Sequence, residues 1–387
     1  SPPMPIPRKL RGDSRNGAAY IRRMSNSAVS RRTFSQLLGA GALLAAVPPI
    51  VRAATPATEV RLNANENPFG PSPAAMRAMT EALSLAPRYP DAQEEGLVAD
   101  LAHLHGVNAD QVLLGIGSSD LLRLAASAFL GAGGTAVMAD PTFEIIALHG
   151  GAWGATIRKV PLTSTYAHDL EKMDGGNLVY ICNPNNPTAT ITPKAAMRAF
   201  LDRTPASTIV VVDEAYHHYA TSSDYESVLP LVATHPNLVV MRTFSKIYAL
   251  AGLRCGYAVA QKALIEKLQG QQQFNVSNIM ALVAARASVT DTRHTAAAQK
   301  KNSDTKAWLS KELAAMGLTH LPSEANFMMI DLGTDIGAIN KAMREKNVHV
   351  GRRFPAMPKH MRITIGTPEE MKRFTTALGE VLSRSGA

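Results

Sequence analysis

One lysine, Lys246, lies in the stretch of this chain best suited to covalent chemistry. It follows two hydroxyl side chains, Thr243 and Ser245, and precedes Arg254 by eight positions. The apolar run 238–241 predicts a buried strand that ends just before the lysine, and ligands of open α/β sheets bind at such strand ends. A partly buried lysine beside a cation favours the neutral amine that forms Schiff bases with aldehydes. Taken alone, a lysine in such a loop is more often a solvated surface residue.

Two further predicted strands end in polar residues. The stretch 207–212 contains a continuous β-branched run and predicts a strand buried on both faces, and Asp213 follows it at a position where a charge requires a partner. The strand predicted at 177–182 leads into the loop 183–188, which contains two Asn-Pro steps. These steps predict a rigid loop that can orient an amide side chain.

A glycine-containing turn between a strand and a helix supplies a candidate anion site. Ser118, Ser119 and Asp120 lie at the predicted helix start, where unpaired backbone N–H groups attract anions. A plain capped helix explains these residues at least as well. Phe143 follows another predicted strand and could stack on a flat ligand, although an aromatic residue there is more often part of the core.

Strands alternate with helices from 112 to 260, which predicts an α/β fold with a mostly parallel, doubly wound sheet. A smaller unit with further strands follows. The domains predicted from this organisation are a leader at 1–53, an N-terminal arm and helix at 54–86, a large domain at 87–277 and a small domain at 278–387.

The formal charge of +9 is concentrated in the leader. Residues 1–53 contain nine basic residues and one acidic residue, so the remainder carries about +1 and gives no indication of nucleic-acid binding. Ser30-Arg-Arg-Thr-Phe34 has the twin-arginine form, and an apolar stretch with glycines leads to a small-residue cleavage site at 51–53. We expect export by the twin-arginine route, to the periplasm or otherwise outside the cytoplasm. A chance basic pair before a core helix is the alternative.

Neither the cysteines nor the histidines predict a metal site or a disulfide. Cys182 and Cys255 are too few for a disulfide framework and are interpreted as small buried hydrophobic residues. His217-His218 and the pair at 103 and 105 lack a carboxylate or cysteine at metal-site spacing, so we expect no metal.

Eight motifs in order resemble the fold-type I aminotransferases that use pyridoxal phosphate, most closely the histidinol-phosphate aminotransferase branch. They lie between about 62 and 378: LNANENPFGPSP at 62–73, RYPD at 88–91, PTF at 141–143, NPNNPT at 183–188, DEAY at 213–216, RTFSK at 242–246, AGLRCGY at 251–257 and RITIGT at 362–367. The resemblance implies a three-layer large domain with a mostly parallel seven-stranded sheet, and a smaller α+β C-terminal domain.

The resemblance also implies a role for each matching residue. Lys246 would form the Schiff base and move the Cα proton, while Asp213 would pair with the pyridine nitrogen. The other implied cofactor contacts are Asn186 and Tyr216 at the ring oxygen, Phe143 on the ring, and Ser118, Ser119, Asp120, Thr243, Ser245 and Arg254 at the phosphate. Tyr89 would reach the phosphate of a neighbouring subunit, which implies a homodimer with shared sites. Arg362, Asn326 and Asn65 would contact the substrate.

The resemblance leaves the substrate open. Ala189 replaces the family's usual glycine, and Gly351 replaces its usual arginine, with Arg352 and Arg353 following. We expect an aminotransferase that acts on an amino acid or histidinol-phosphate-like amine and a 2-oxo acid. The alternatives are decarboxylation or racemisation with the same cofactor, and a non-catalytic regulator. The regulator is disfavoured because no DNA-binding module is recognisable.

Overall fold

A computed structural model describes residues 59–274 and 276–385 of the 387-residue chain. The predicted leader lies outside the described residues. The strands and α-helices are, in chain order, β1 (Val60–Leu62), α1 (Pro73–Ala82), α2 (Asp91–His105), β2 (Val112–Gly115), α3 (Ser118–Phe129), β3 (Thr135–Asp140), α4 (Ile145–Ala152), β4 (Thr156–Pro161), β5 (Leu178–Cys182), α5 (Lys194–Arg203), β6 (Ile209–Asp213), β7 (Leu238–Thr243), β8 (Gly256–Ala260), α6 (Lys262–Gln269), α7 (Ile279–Thr290), α8 (Thr292–Ala315), β9 (Thr319–His320), β10 (Phe327–Asp331), α9 (Gly337–Glu345), β11 (Val348–Val350), β12 (His360–Thr364) and α10 (Pro368–Ser385).

The main sheet contains seven strands in the order β2-β8-β7-β6-β5-β3-β4. Strands β3 to β7 pair in parallel, and β8 runs antiparallel to both of its neighbours. The predicted α/β fold with a mostly parallel seven-stranded sheet is therefore confirmed.

The register of the sheet brings polar strand ends together. Cys182 pairs with Asp213, and Asp213 pairs with Met241, so β5, β6 and β7 end at one edge. Because β8 runs the other way, its first residue, Gly256, pairs with Thr243 at this same edge. The loop that carries Lys246 leaves the sheet here.

Two apolar layers enclose the main sheet. Along β6, Val210 and Val212 face a cluster that includes Leu97 of α2 and Phe200 of α5. The alternate residue Val211 faces a second cluster with helices α3 and α6. Both faces are thus covered by helices, as the continuous apolar strand sequences require.

A separate apolar cluster joins the C-terminal elements. Sheet β12-β10-β9 is antiparallel, and it packs with α9, α10 and the end of α8. Strand β1 pairs in parallel with β11, so the N-terminal arm belongs to this cluster through Val60 and Leu62. The predicted domain boundaries stay predictions. No helix in the described part of the chain is long and apolar enough to cross a membrane.

Candidate active site

A cavity of about 340 Å³ opens at the sheet edge where the polar strand ends meet. Twelve of the fifteen residues predicted for the site line this cavity: Asn65, Ser118, Ser119, Phe143, Asn186, Asp213, Tyr216, Thr243, Ser245, Lys246, Arg254 and Arg362. They come from the arm, the large sheet and β12, so the cavity collects residues that are up to 297 positions apart in the sequence, from 65 to 362.

The other three predicted residues lie elsewhere. Asp120 is the third residue of α3, and its Oδ1 forms an ion pair with Arg123 Nη2 at 2.9 Å. Tyr89 is 75% exposed on the surface of the chain. Asn326 is buried behind the arm, and its Nδ2 donates to the carbonyl oxygens of Asn65 and Glu66 at 3.1 and 3.2 Å. Asn326 therefore supports the arm that forms one wall of the cavity.

Lys246 reaches the cavity from the turn that follows β7. Its Nζ donates to the carbonyl oxygens of Asn65 at 3.0 Å and Ala64 at 3.3 Å. Burial, with the positive charge of Arg362, lowers the Lys246 pKa from 10.5 to about 8. A substantial fraction of this amine is therefore neutral near physiological pH, as nucleophilic attack on an aldehyde requires.

Asp213 is a carboxylate held at the floor of the cavity. Its side chain accepts hydrogen bonds from the Tyr180 hydroxyl at 3.1 Å and from the Ala215 N–H at 3.0 Å. Burial raises the Asp213 pKa to about 6, although these hydrogen bonds and Lys246 oppose the change. A buried carboxylate with raised pKa gains stability from a cationic ligand group at hydrogen-bond distance.

The start of α3 and the loop after β7 form an anion-binding wall. Arg254 Nη1 donates to Ser245 Oγ at 3.3 Å, and Thr243 Oγ1 contacts the same oxygen at 2.9 Å. Gly117 has φ +90°, and a Cβ there would overlap the Arg254 guanidinium. This glycine therefore lets the helix N-terminus and the guanidinium approach each other, which suits a phosphate-sized dianion.

Hydrogen bonds connect Tyr216 and Asn186, which also line the cavity, to Arg362 of β12. The Tyr216 hydroxyl accepts from Asn65 Nδ2 at 3.0 Å and from Asn186 Nδ2 at 3.5 Å. Asn186 Oδ1 in turn accepts from Arg362 Nη1 at 2.7 Å. Arg362 Nη2 donates to the Asn63 carbonyl, while Nε is buried without a hydrogen-bond partner within the described residues. Burial lowers the Arg362 pKa, and the guanidinium retains capacity to bind an anion.

Sequence reasoning missed several residues around the cavity. The Tyr180 hydroxyl donates to the Asp213 carboxylate, but its position within an apolar strand predicts only an ordinary core residue. Cys182, interpreted as a small core residue, also lines the cavity, and its Sγ donates to the Pro184 carbonyl at 3.3 Å. Its place at a strand end was the available signal. Glu66 lines the cavity from the arm; it lies within the motif at 62–73, but no role is predicted for it there.

The donor set fits one class of cofactor. An amine of lowered pKa, a buried carboxylate and an anion-binding wall surround one small cavity. These groups match a molecule that carries an aldehyde, a basic ring nitrogen and a phosphate. The Phe143 side chain on the cavity wall supplies an apolar surface for a ring.

Comparison with known proteins gives consistent matches over nearly all of the described chain. Residues 57–378 match the family model for aminotransferase class I and II. The chain is 42% identical over 335 residues to histidinol-phosphate aminotransferase 2 of Pseudomonas aeruginosa, covering 85% of this chain and 90% of that protein. It is 38% identical over 333 residues to histidinol-phosphate aminotransferase of Halalkalibacterium halodurans, with 84% and 90% covered. The structure of histidinol-phosphate aminotransferase from Sinorhizobium meliloti in complex with pyridoxal 5'-phosphate superposes with a TM-score of 0.78 at 27% identity, covering 85% and 92%.

Proposed function

The chain belongs to the class I and II aminotransferase family, and from that premise we propose which amines it uses and which residues act on them. It is a pyridoxal phosphate-dependent aminotransferase. We propose that it moves an amino group between an amino acid or histidinol-phosphate-like amine and a 2-oxo acid. The names of the relatives at 42% and 38% identity support the histidinol-phosphate-like amine.

The proposed residue roles follow from the chemistry of each wall. Bound pyridoxal phosphate supplies an aldehyde and an electron-withdrawing ring. Asp213 would keep the ring nitrogen protonated, because a buried carboxylate is stabilised by a cation. The phosphate would lie at the start of α3 against Ser245 and Arg254. Asn186 and Tyr216 would donate to the ring oxygen, and Arg362 would bind the carboxylate or phosphate of the substrate.

Lys246 would carry the proton that transamination moves. The pKa near 8 leaves its Nζ able both to accept and to release a proton near neutral pH. The carbonyl oxygens of Ala64 and Asn65 hold Nζ on the cavity side of the arm. The observation that carries the proposal is that the Lys246 amine, with its lowered pKa, lines the same cavity as Asp213 and Arg254.

A half-reaction experiment tests the proposal. Protein loaded with pyridoxal phosphate is mixed with histidinol phosphate or single amino acids, without any oxo acid, while the cofactor absorbance is followed. We expect one of these amines to convert the spectrum to that of pyridoxamine phosphate. Lys246→Ala should abolish the conversion and the absorbance of the lysine-bound cofactor.

The same experiment separates transamination from the other reactions of this cofactor. Release of carbon dioxide, or loss of optical activity, without pyridoxamine phosphate would replace our proposal with a decarboxylase or racemase. A Lys246→Ala protein that stays yellow and reducible by borohydride would overturn the assignment of the lysine.

We further propose a homodimer with shared sites. The support is Tyr89, an aromatic side chain that is 75% exposed in the single chain although it lies in a motif of the resemblance. Tyr89 would reach the phosphate bound by the partner subunit. Sedimentation at micromolar concentration should give a dimer, and a monomer that retains full activity would contradict the shared site.

Export by the twin-arginine route is our proposal for residues 1–53. The support is sequence alone: the arginine pair, the apolar stretch and the small residues at 51–53. Cell fractionation of the full chain and an Arg31→Lys, Arg32→Lys variant tests it. Equal amounts of both proteins outside the cytoplasm would contradict the proposal.

A further inference from the structure

Tyr180 is a fully buried tyrosine at the centre of β5, and the proposed chemistry gives it no role. In the register of the main sheet, Tyr180 pairs with Val211 and Cys182 pairs with Asp213. Because side chains two residues apart on a strand share one face, Tyr180 and Asp213 lie on the same face of the sheet. The tyrosine ring extends along that face toward the strand ends, and its hydroxyl donates to Asp213 Oδ2 at 3.1 Å.

Each oxygen of the Asp213 carboxylate accepts one hydrogen bond from the protein. Oδ2 accepts from the Tyr180 hydroxyl, and Oδ1 accepts from the Ala215 N–H at 3.0 Å. Burial raises the pKa of the Tyr180 phenol, so this group keeps its proton and remains a donor. Donors on both oxygens favour the ionised carboxylate over the protonated one.

Core packing alone does not explain the hydroxyl of Tyr180. A phenylalanine would fill the same space without burying a polar group, which costs free energy unless it is hydrogen-bonded. The Cys182 thiol is also close to the hydroxyl, but its Sγ already donates to the Pro184 carbonyl at 3.3 Å. Burial, followed by the charge of Asp213, raises the pKa of this thiol, which is therefore neutral and a weak acceptor. The stronger partner of the hydroxyl is the carboxylate.

The groups around Asp213 act on its charge in opposite directions. Burial raises the Asp213 pKa to about 6, and the adjacent Glu214 adds to that effect. The hydrogen bonds from Ala215 and Tyr180 and the positive charge of Lys246 lower it. Lys246 loses its charge as the pH rises through its own pKa of about 8, whereas the Tyr180 hydroxyl still donates there. The hydrogen bond from Tyr180 is therefore a support that does not depend on the state of the lysine.

We propose that Tyr180 is a positioning residue that keeps Asp213 ionised for the ring nitrogen of the cofactor. The inference rests on the proposed pairing of Asp213 with that nitrogen. An ionised Asp213 leaves the shared proton on the ring, where the positive charge makes the ring electron-withdrawing. A protonated Asp213 would leave the ring proton without a counter-ion in a buried site.

Binding of pyridoxamine phosphate to the cofactor-free protein tests the inference. This ligand has the ring nitrogen and the phosphate but no aldehyde, so its affinity does not require a Schiff base with Lys246. Isothermal titration at pH 6 and pH 8 gives the Kd. Tyr180→Phe should raise the Kd about tenfold at pH 6, because losing a hydrogen bond to the carboxylate raises the Asp213 pKa above 6 and leaves the carboxyl mostly protonated. At pH 8 Asp213 is ionised in both proteins, and the difference should fall below about threefold.

A ligand without the ring nitrogen distinguishes this role from a general disturbance of the cavity. The 1-deaza analogue of pyridoxamine phosphate has a carbon atom in place of that nitrogen. Tyr180→Phe should leave the Kd for the analogue unchanged at both pH values. Equal losses of affinity for the two ligands would overturn the inference.

Another buried tyrosine provides a matched control. Tyr257 belongs to the apolar cluster on the other face of the sheet, and its hydroxyl is hydrogen-bonded to His105 Nε2 at 2.9 Å. Tyr257→Phe removes the same group without touching Asp213, and it should change neither Kd. A loss at pH 6 as large as that of Tyr180→Phe would mean that any buried hydroxyl has this effect, and the inference would be wrong.

Asp213→Asn separates the inference from the pairing on which it rests. This side chain cannot ionise, so the variant should bind pyridoxamine phosphate more weakly at both pH values, and adding Tyr180→Phe should cause no further pH-dependent loss. An unchanged Kd in Asp213→Asn would overturn the pairing and the inference together. A weakened Asp213→Asn with a Tyr180→Phe Kd within twofold of wild type at pH 6 would overturn the inference alone. Because the titration involves no catalysis, its result is independent of the amine that the protein uses.

Discussion

Replacing Lys246 with methionine should stabilise the protein without its cofactor, even though it removes the residue proposed to be essential for activity. Burial, followed by the charge of Arg362, lowers the Lys246 pKa from 10.5 to about 8. That difference corresponds to about 3 kcal/mol at 1.4 kcal/mol for each pKa unit. The amine faces an open cavity, so solvent screens part of the cost, and Lys246→Met should gain about 2 kcal/mol at pH 7.

The gain should depend on pH in a defined direction. The unfolded chain binds the Lys246 proton more tightly than the folded chain, because only the folded chain has a lowered pKa. The cost of the charged lysine is therefore complete below about pH 8, and it disappears as the pH rises toward 10.5. The stability difference between Lys246→Met and wild type should shrink across the same interval.

Urea unfolding of both proteins without cofactor, at pH 7 and at pH 10, measures this difference. Lys372 lies exposed on α10, and Lys372→Met controls for the general effect of replacing a lysine with an apolar side chain. An Lys246→Met protein that is no more stable than wild type at pH 7 would refute the electrostatic account. So would a gain that is equal at both pH values.

Two further substitutions test other parts of the structure. Glu214→Gln should lower the free energy of unfolding in urea by about 3 kcal/mol, because it removes the counter-ion of Arg242, a guanidinium 2.8 Å away whose side chain is 9% exposed; an unchanged urea midpoint would contradict the pairing. Gly117→Ala should weaken pyridoxal phosphate binding at least tenfold, measured by titrating cofactor-free protein, because the added Cβ displaces the Arg254 guanidinium from the anion-binding wall. Gly131→Ala, where a Cβ meets nothing within 4 Å, should leave that affinity unchanged, and equal losses in both variants would contradict the reasoning.

The main sheet and its polar edge could be predicted because the signals are local. Continuous β-branched runs identify buried parallel strands, and parallel strands end at one edge of the sheet. Asp213 and the loop with Lys246 follow such runs directly, so the sequence alone brings them together. The register in which Asp213 pairs with both Cys182 and Met241 confirms that placement.

The parts that could not be predicted depend on contacts between distant segments. The alternation along β12 gives Arg362 two possible directions, and only its hydrogen bond to Asn186, 176 positions earlier, decides between them. The resemblance implies that Asn326 contacts the substrate, and the structure adds that its Nδ2 donates to two carbonyl oxygens of the arm. A pattern of residue types cannot reveal such pairings, because they depend on how separate units pack.

Several unfavourable features of the described chain lie at this cavity. Burial displaces the pKa values of Lys246, Asp213 and Arg362 in the direction that disfavours each charge. Arg254 adopts a left-handed backbone conformation at φ +59°, which is rare outside glycine and asparagine. These costs persist in the folded chain because the surrounding core is well packed, and a ligand of complementary charge would relieve several of them together. For this reason the stability gained on binding pyridoxal phosphate should exceed the gain from Lys246→Met, which relieves only one.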